Sequence, residues 1–392
     1  MRFLIVQTDY GEFLRAFHRR HGELASAPYE EYQRLREGEL FGYGHSYARW
    51  LRNLGHQAEV ICANDETAQQ AWARQHGPTM LRISVGIGRA RTMLRPIRRS
   101  VRRAMPSRAA AASTWKMSWL EEILAEQVRA AAPDVLICLN VTGVTPDLIG
   151  QLRDSVGLMV GQHGATPLPA MQRFRCYDLI LSSFAPTVDA LRAAGVRAEP
   201  LRLGFDPDVL DRLGDLPRTH DISFVGSFFG GIHDSRISFV EALCERFEEM
   251  RVWTASIDSL AESSPIRRCY VGPAWGIDMF GVLLGSRITI NHHGDFRLAA
   301  NNCRLYEATG CGALLLTDAK PNLPELFDLG REVLAYEDVD HCVELIDSYL
   351  DRSEDCAAIA QAGRERTLRD HTYGQRMTEL VGLVGEVADS GR

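Results

Sequence analysis

The stretch from 290 to 318, INHHGDFRLAANNCRLYEATGCGALLLTD, gathers the densest set of groups able to do chemistry in this chain. An apolar run closes at Asn291–His293 and reads as a strand, and a glycine-containing loop follows it. A short helix then carries Arg304 and Glu307, and Gly312 ends it before the next strand. Spaced three apart, these two side chains share one helix face, while Leu305 and Ala308 form a stripe directed toward the sheet. A carboxylate beside a guanidinium suits a sugar nucleotide. The carboxylate accepts hydrogen bonds from both ribose hydroxyls, and the guanidinium and helix-end amides hold a diphosphate. The plain alternative is an intrahelical ion pair on a solvated face, worth about 0.2–0.5 kcal/mol. His292, His293 and Asp295 are loop candidates for sugar or phosphate contact. A histidine closing a buried strand is more often a satisfied core residue, so only His293 is taken forward with Asp295.

Two further loops carry titratable groups. GQHGATP (161–167) follows an expected strand and sets His163 between two glycines, where a side chain titrating near neutrality can take a hydroxyl proton. TDYGEF after the first strand offers Asp9 as a weaker base. The pairs Asp206/Asp208 and Asp338/Asp340 mimic a D-x-D metal motif, but one falls in a linker and the other after the last strand, so no metal site is expected. Only Lys116 and Lys320 are lysines, and neither sits in a phosphate-loop motif. No G-x-S-x-G elbow or H-E-x-x-H zinc helix occurs. The nine cysteines never adopt C-x-x-C spacing, which argues against a disulfide framework or zinc cluster.

The elements that must position these groups follow from the pattern of apolar runs. Short Val/Ile/Leu-rich segments alternate with helical stretches, as in strand–helix–strand units of parallel sheet. Six expected strands begin near residues 2, 58, 134, 157, 178 and 198, and six more near 221, 251, 267, 288, 313 and 332. The expected fold is α/β: two Rossmann-like, doubly wound parallel-sheet domains facing a cleft. Residues 1–203 form the first, acceptor-side domain and 204–220, rich in Pro, Gly and Asp, the linker. Residues 221–370 form the nucleotide-binding domain, and 371–392 a terminal helix packing back toward the first domain. At 392 residues and 45% hydrophobic content, two globular domains fit the length.

Residues 89–108 depart from the pattern, with eight arginines and no acid in a chain of net charge −7. Leu94, Ile97, Val101 and Met105 recur at helical spacing among them. Docking on an anionic membrane surface and a solvated insertion are both open readings. The segment lacks interleaved aromatics and the remainder of the chain is acidic, so no nucleic-acid partner is expected. The opening apolar run is too short for a signal peptide, which gives a cytoplasmic protein, peripheral at the inner membrane face where 89–108 docks.

YEATGCGALLLTD resembles the E-A-x-x-C-G-x-x-V-V-x-[ST] segment of GT-B glycosyltransferases, and N-x-R-x-Y-E-A-x-G-C-G resembles the spore-maturation (CgeB-like) branch with the related family 1/4-type enzymes. The match continues through 359–376 and upstream to ISFVGSFFGGIHDSR (222–236), whereas in the N-terminal half only element order and a few glycines match. The resemblance implies a glycosyltransferase using a UDP- or GDP-linked sugar as substrate, with no cofactor, and a hydroxyl-bearing acceptor. It places Glu307 on the ribose diol and Arg304, with Asn302 in the same motif, at the diphosphate. It also places Gly226, Ser227 and Arg236 at the phosphates, and Trp275 of VGPAWG beside the base. Many retaining relatives carry a second glutamate eight residues earlier, a position held here by Ala299. A sugar-nucleotide epimerase and a non-catalytic nucleotide-sugar binder therefore stand as alternatives.

Overall fold

The computed structural model describes residues 1–77, 119–164, 167–228, 233–294 and 299–390. The basic segment 89–108 and the site candidate Asp295 lie outside these residues.

Among the described residues twelve strands form where the apolar runs place them, in two six-stranded parallel sheets. The first contains β1 (Arg2–Gln7), β2 (Gln57–Cys62), β3 (Val135–Cys138), β4 (Leu158–Gln162), β5 (Leu179–Ser182) and β6 (Ala198–Pro200), in the order β2-β1-β3-β4-β5-β6. The second contains β7 (His220–Val225), β8 (Met250–Trp253), β9 (Tyr270–Gly272), β10 (Ser286–Asn291), β11 (Leu314–Asp318) and β12 (Leu334–Tyr336), in the order β12-β11-β10-β7-β8-β9. Each order reverses once, between β1 and β3 and between β7 and β10. In open sheets of this kind the carboxyl edge at the reversal is where ligands bind.

The sequence of the second sheet explains its two covered faces. Along β11, Leu314 and Leu316 turn into one core with Ile288, Ile290, Ile222 and Phe224. Leu315 turns into the opposite core, where it meets Leu305, Ala308, Phe280 and Phe205. Alternating apolar residues on both faces require helices on both sides, which is why these strands read as continuous hydrophobic runs.

The described residues condense into two compact units whose limits differ from the expected boundary near 203–221. Glu39–Leu54, Gly164–Pro167 and Leu181–Arg392 group in the second, and Met1–Gly38, Gly55–His163 and Leu168–Ile180 in the first. Local packing accounts for the placement of 39–54. The Gly44–Asn53 helix lies on the Tyr373–Ser390 helix, with the Tyr47 and Tyr373 rings 5.5 Å apart. Arg49 pairs with Asp206 at 2.6 Å and Asp208 at 3.1 Å, and Trp50 Nε1 donates to Asp206. The start of the presumed linker is itself tied down: Phe205 N–H donates to the His371 carbonyl and Tyr373 N–H returns to that of Phe205.

Leu305, fully buried beneath the helix that carries Arg304 and Glu307, is the packing residue that seats this helix on the sheet. Leu305→Ala should cost about 2–5 kcal/mol, read as a lower urea midpoint at unchanged slope.

Candidate functional site

The Cys303–Gly310 helix begins at the carboxyl edge of the second sheet, and its start is pinned by a chain of amides. The Asn302 side chain caps it by accepting from Leu305 N–H, and donates through Nδ2 to Asn291 Oδ1 at 2.8 Å. Asn291 in turn donates to Thr317 Oγ1 at 2.9 Å, so the cap is fastened to the ends of β10 and β11 together. Expected from the motif alone, Asn302 thus has a mechanical role that spacing could not disclose.

Arg304 and Glu307 meet as an ion pair, Nη1 to Oε2 at 2.8 Å, with side chains 13% and 18% exposed. That exposure is small enough to leave the pair poorly hydrated and large enough to be reached. Burial pushes the Glu307 carboxyl up, and the Arg304 charge pulls it back. Arg304 is further oriented by Nε donating to the Val225 carbonyl at the end of β7. Its two terminal nitrogens also lie 3.2–3.3 Å from Met279 Sδ on the Gly276–Leu284 helix. Met279 was not legible as part of the site, because nothing in its own segment marks it.

The other expected residues of the second unit have partners of their own. Gly226 follows β7, and a Cβ there would stand 2.8 Å from the Phe224 ring, which would have to shift to admit it. Arg236, buried in the Asp234–Arg246 helix, donates from Nε to the His292 carbonyl and from Nη1 to the Ser227 carbonyl. It braces the loops after β7 and β10 through their main chains. Trp275 precedes the Gly276–Leu284 helix and packs edge-on against Phe41 at 5.4 Å. Gly276 is held at φ +50°, and a Cβ there would fall 2.0 Å from the Glu39 carbonyl oxygen.

His293 is committed within the fold. Its Nδ1 lies 2.6 Å from Asp318 Oδ1, while its Nε2 accepts from the Asn301 amide. That acceptor role leaves the proton on Nδ1, donated to Asp318. Lys320 Nζ sits 3.0 Å from the other carboxylate oxygen. Asp318 and Lys320, at the carboxyl end of β11 in LLLTDAK, escaped the sequence reading, although a strand-end acid in a parallel sheet was the available signal. His292 stacks on Phe239 and contacts the Tyr336 hydroxyl, and burial holds its ring toward the neutral form.

In the first unit, Asp9 closes β1 as the counter-ion of Arg36, whose guanidinium is buried over Phe13 and Phe17. It also accepts from Gln7 and from the Cys62 thiol. Such a carboxylate is occupied by a structural ion pair, which the sequence reading missed because Arg36 lies 27 residues away. His163 is buried after β4, with Phe174 edge-on at 5.5 Å. The two D-x-D mimics have structural partners: Asp206 serves Arg49 and Trp50, and Asp338 caps the Val339–Asp351 helix.

Residues 236–382 match the family described as "Glycosyl transferase-like". No curated protein matches the chain. Among solved structures, a glycosyltransferase from Rickettsia africae is similar at 11% identity and TM-score 0.55, covering 98% of both chains. Sucrose-phosphate synthase from Thermosynechococcus elongatus is similar at 11% identity and TM-score 0.56 over 100% of both chains. HepE from Anabaena, in complex with UDP and glucose, gives 11% identity and TM-score 0.54, covering 98% of this chain and 100% of that one. The chain has the GT-B fold of glycosyltransferases, and a glycosyltransferase-like domain spans most of its second unit.

Burial opposes ionisation of Asp318, but the His293 hydrogen bond and neighbouring positive charge, including Lys320, hold its carboxyl well below the usual range. A depressed folded value stabilises above the unfolded carboxylate pKa of about 4 and is lost as pH falls below it. The urea-midpoint difference between the native chain and Asp318→Asn should therefore be largest near neutrality and shrink on acidification below about pH 4.

Proposed function

We propose that the protein transfers a sugar from a UDP- or GDP-linked donor to a hydroxyl-bearing acceptor, as a glycosyltransferase of the CgeB-like branch. The supporting observation is the poorly hydrated Arg304–Glu307 pair on a capped helix at the β7/β10 reversal. Glu307 has one carboxylate oxygen engaged by Arg304, and the other is available to the ribose diol. Arg304 and the first turn of the helix face the diphosphate, with Gly226 permitting close backbone approach and Ser227 beside it. Asn302 and Arg236 position rather than touch the donor, through Asn291 and the two loop carbonyls. Trp275 is offered for the base, and Asp295 for the sugar.

In the reaction the bond between anomeric carbon and diphosphate oxygen breaks, its electron pair leaving with the diphosphate. The acceptor oxygen bonds to the anomeric carbon and gives up its proton, and His163 is assigned as the base in the first unit. Preorganised positive charge lowers the barrier by stabilising the departing diphosphate. No resident cofactor or metal is assigned to this reaction. A cytoplasmic location, peripheral at the membrane through 89–108, belongs to the same reading.

Glu307→Ala should weaken UDP binding by about 10- to 100-fold, the loss of hydrogen bonds to a charged group at about 1.5–3 kcal/mol. Calorimetry measures the affinity, and an unchanged circular dichroism spectrum separates it from unfolding. Unchanged affinity removes the ribose role. Incubation with a UDP- or GDP-sugar and acceptor should release free diphosphate nucleotide together with an extended acceptor. A new sugar nucleotide would identify an epimerase instead, and no turnover a binding protein.

Deleting residues 89–108 should abolish sedimentation with anionic vesicles and spare donor hydrolysis. Undiminished sedimentation would make the segment a passive insertion.

A further inference from the structure

The second unit holds a cavity of about 350 Å³ that none of the foregoing chemistry uses. Three arginines line it, Arg218, Arg287 and Arg364, together with Ser353 and Gln361. No carboxylate is among its lining residues. It opens at the amino edge of the sheet, where Ser286 and Arg287 begin β10 and Gly312 precedes β11. The Arg304–Glu307 pair sits on the Cys303–Gly310 helix that leads into Gly312, and neither residue lines the cavity.

The three guanidiniums differ in what they are free to do. Arg218 is spent on main chain, donating to the Leu284 carbonyl at 2.7 Å, that of Ser286 at 2.8 Å and that of Gly312 at 2.5 Å. Arg287 divides itself between Asp221, at 2.7 Å, and the Leu350 carbonyl. Arg364, on the Ser353–Asp370 helix, makes no hydrogen bond or ion pair among the described residues. Its stem packs 3.2 Å from where a Gly312 Cβ would be, which fixes the root of the side chain and leaves its planar fork open. Burial first, and then the charge of Arg364, weakens proton binding by Arg218, so the like charges here are felt at short range. The cavity wall also includes Ser353, Cys356 and Ala357 from the first turns of an 18-residue helix whose start has no side-chain cap. That end adds the positive side of the helix dipole, though Glu354 and Asp355 lie in the same turn outside the cavity wall.

A positive, acid-lacking cavity of this volume falls at the small end of the roughly 300–1,000 Å³ usual for small-molecule sites. Guanidinium forks match phosphate oxygens two at a time, and a dianion would offset the repulsion between Arg218 and Arg364, which no carboxylate on the cavity wall relieves. We infer that the cavity between Arg364, Arg287 and the start of the Ser353–Asp370 helix is a second ligand site, selective for a phosphoryl dianion carried as inorganic phosphate or on a small phosphomonoester. The site is independent of the nucleotide reading, sharing no residue with it.

The test uses the full chain in thermal-shift and calorimetric titrations with inorganic phosphate, glucose 6-phosphate, and sodium chloride at matched ionic strength. Phosphate should raise Tm in a saturable way that chloride does not reproduce. Arg364→Ala should weaken the response at least 10-fold, with Tm in phosphate-free buffer no lower than that of the native chain. Arg364→Lys, which keeps the charge and loses the fork, should fall between the two. Arg304→Ala should leave the phosphate response intact, which keeps this outcome separate from success or failure at the nucleotide site. Glucose 6-phosphate binding more than 10-fold tighter than phosphate assigns the site to an ester, and equal affinity assigns it to the free ion. A native chain indifferent to both probes, a response undiminished in Arg364→Ala, or one lost in Arg304→Ala overturns the inference.

Discussion

A carboxylate that is largely removed from water yet still reachable is the constraint around which the second unit is arranged. Burial raises the proton affinity of Glu307, and the Arg304 guanidinium at 2.8 Å opposes that rise. Pairs of this kind contribute little to stability once desolvation is counted, and replacing them with apolar residues is often neutral or better. Their presence on a helix otherwise seated by Leu305 and Ala308 therefore calls for another reason. A ligand with two adjacent hydroxyls supplies one, because it returns to the carboxylate the hydrogen bonds that water was denied.

Holding that pair in place takes more polar structure than the pair itself contains. The Asn302–Asn291–Thr317 relay ties the helix start to two strand ends, and Arg236 ties the β7 and β10 loops through their carbonyls. The His293–Asp318 bond fixes the chain just after β10, with Asn301 N–H closing the circuit. The Asn291–Thr317, His293–Asp318 and Asn301–His293 links are buried hydrogen bonds, so removal of one partner costs more than the bond is worth. Rigidity at the sheet edge follows from polar satisfaction as much as from apolar packing.

The strands were legible because both faces of a parallel sheet are covered, which turns each strand into an apolar run bounded by loops. Arg304 and Glu307 were legible because helical spacing alone puts them on one face. What escaped was everything depending on contacts distant in sequence. Arg36 reaches Asp9 across 27 residues, turning an apparent base into a counter-ion. Asp318 reaches His293 across 25, turning an apparent ligand contact into a strut. The grouping of 39–54 with the second unit was hidden for the same reason: Arg49 and Trp50 find Asp206 more than 150 residues later. Local pattern encodes elements, whereas the jobs of polar side chains are set by which strand ends the topology brings together.

The two edges of the second sheet show the electrostatic side of the same topology. In a parallel sheet the connecting helices run against the strands, so helix N-termini gather at the carboxyl edge and helix C-termini at the amino edge. At the carboxyl edge the start of the Cys303–Gly310 helix is met by the Asn302 cap, and Asp318 closes β11 there. At the amino edge the bare carbonyls of the Gly276–Leu284 and Cys303–Gly310 helices need donors, and Arg218 alone serves both, through Leu284 and Gly312. That demand explains one arginine. Arg287 has its own acid in Asp221. Arg364 is left over, adding a third guanidinium beside carbonyls already satisfied and facing a cavity with no carboxylate on its wall. Like charge in a partly buried cavity costs stability, and an anion from outside the chain would offset that cost.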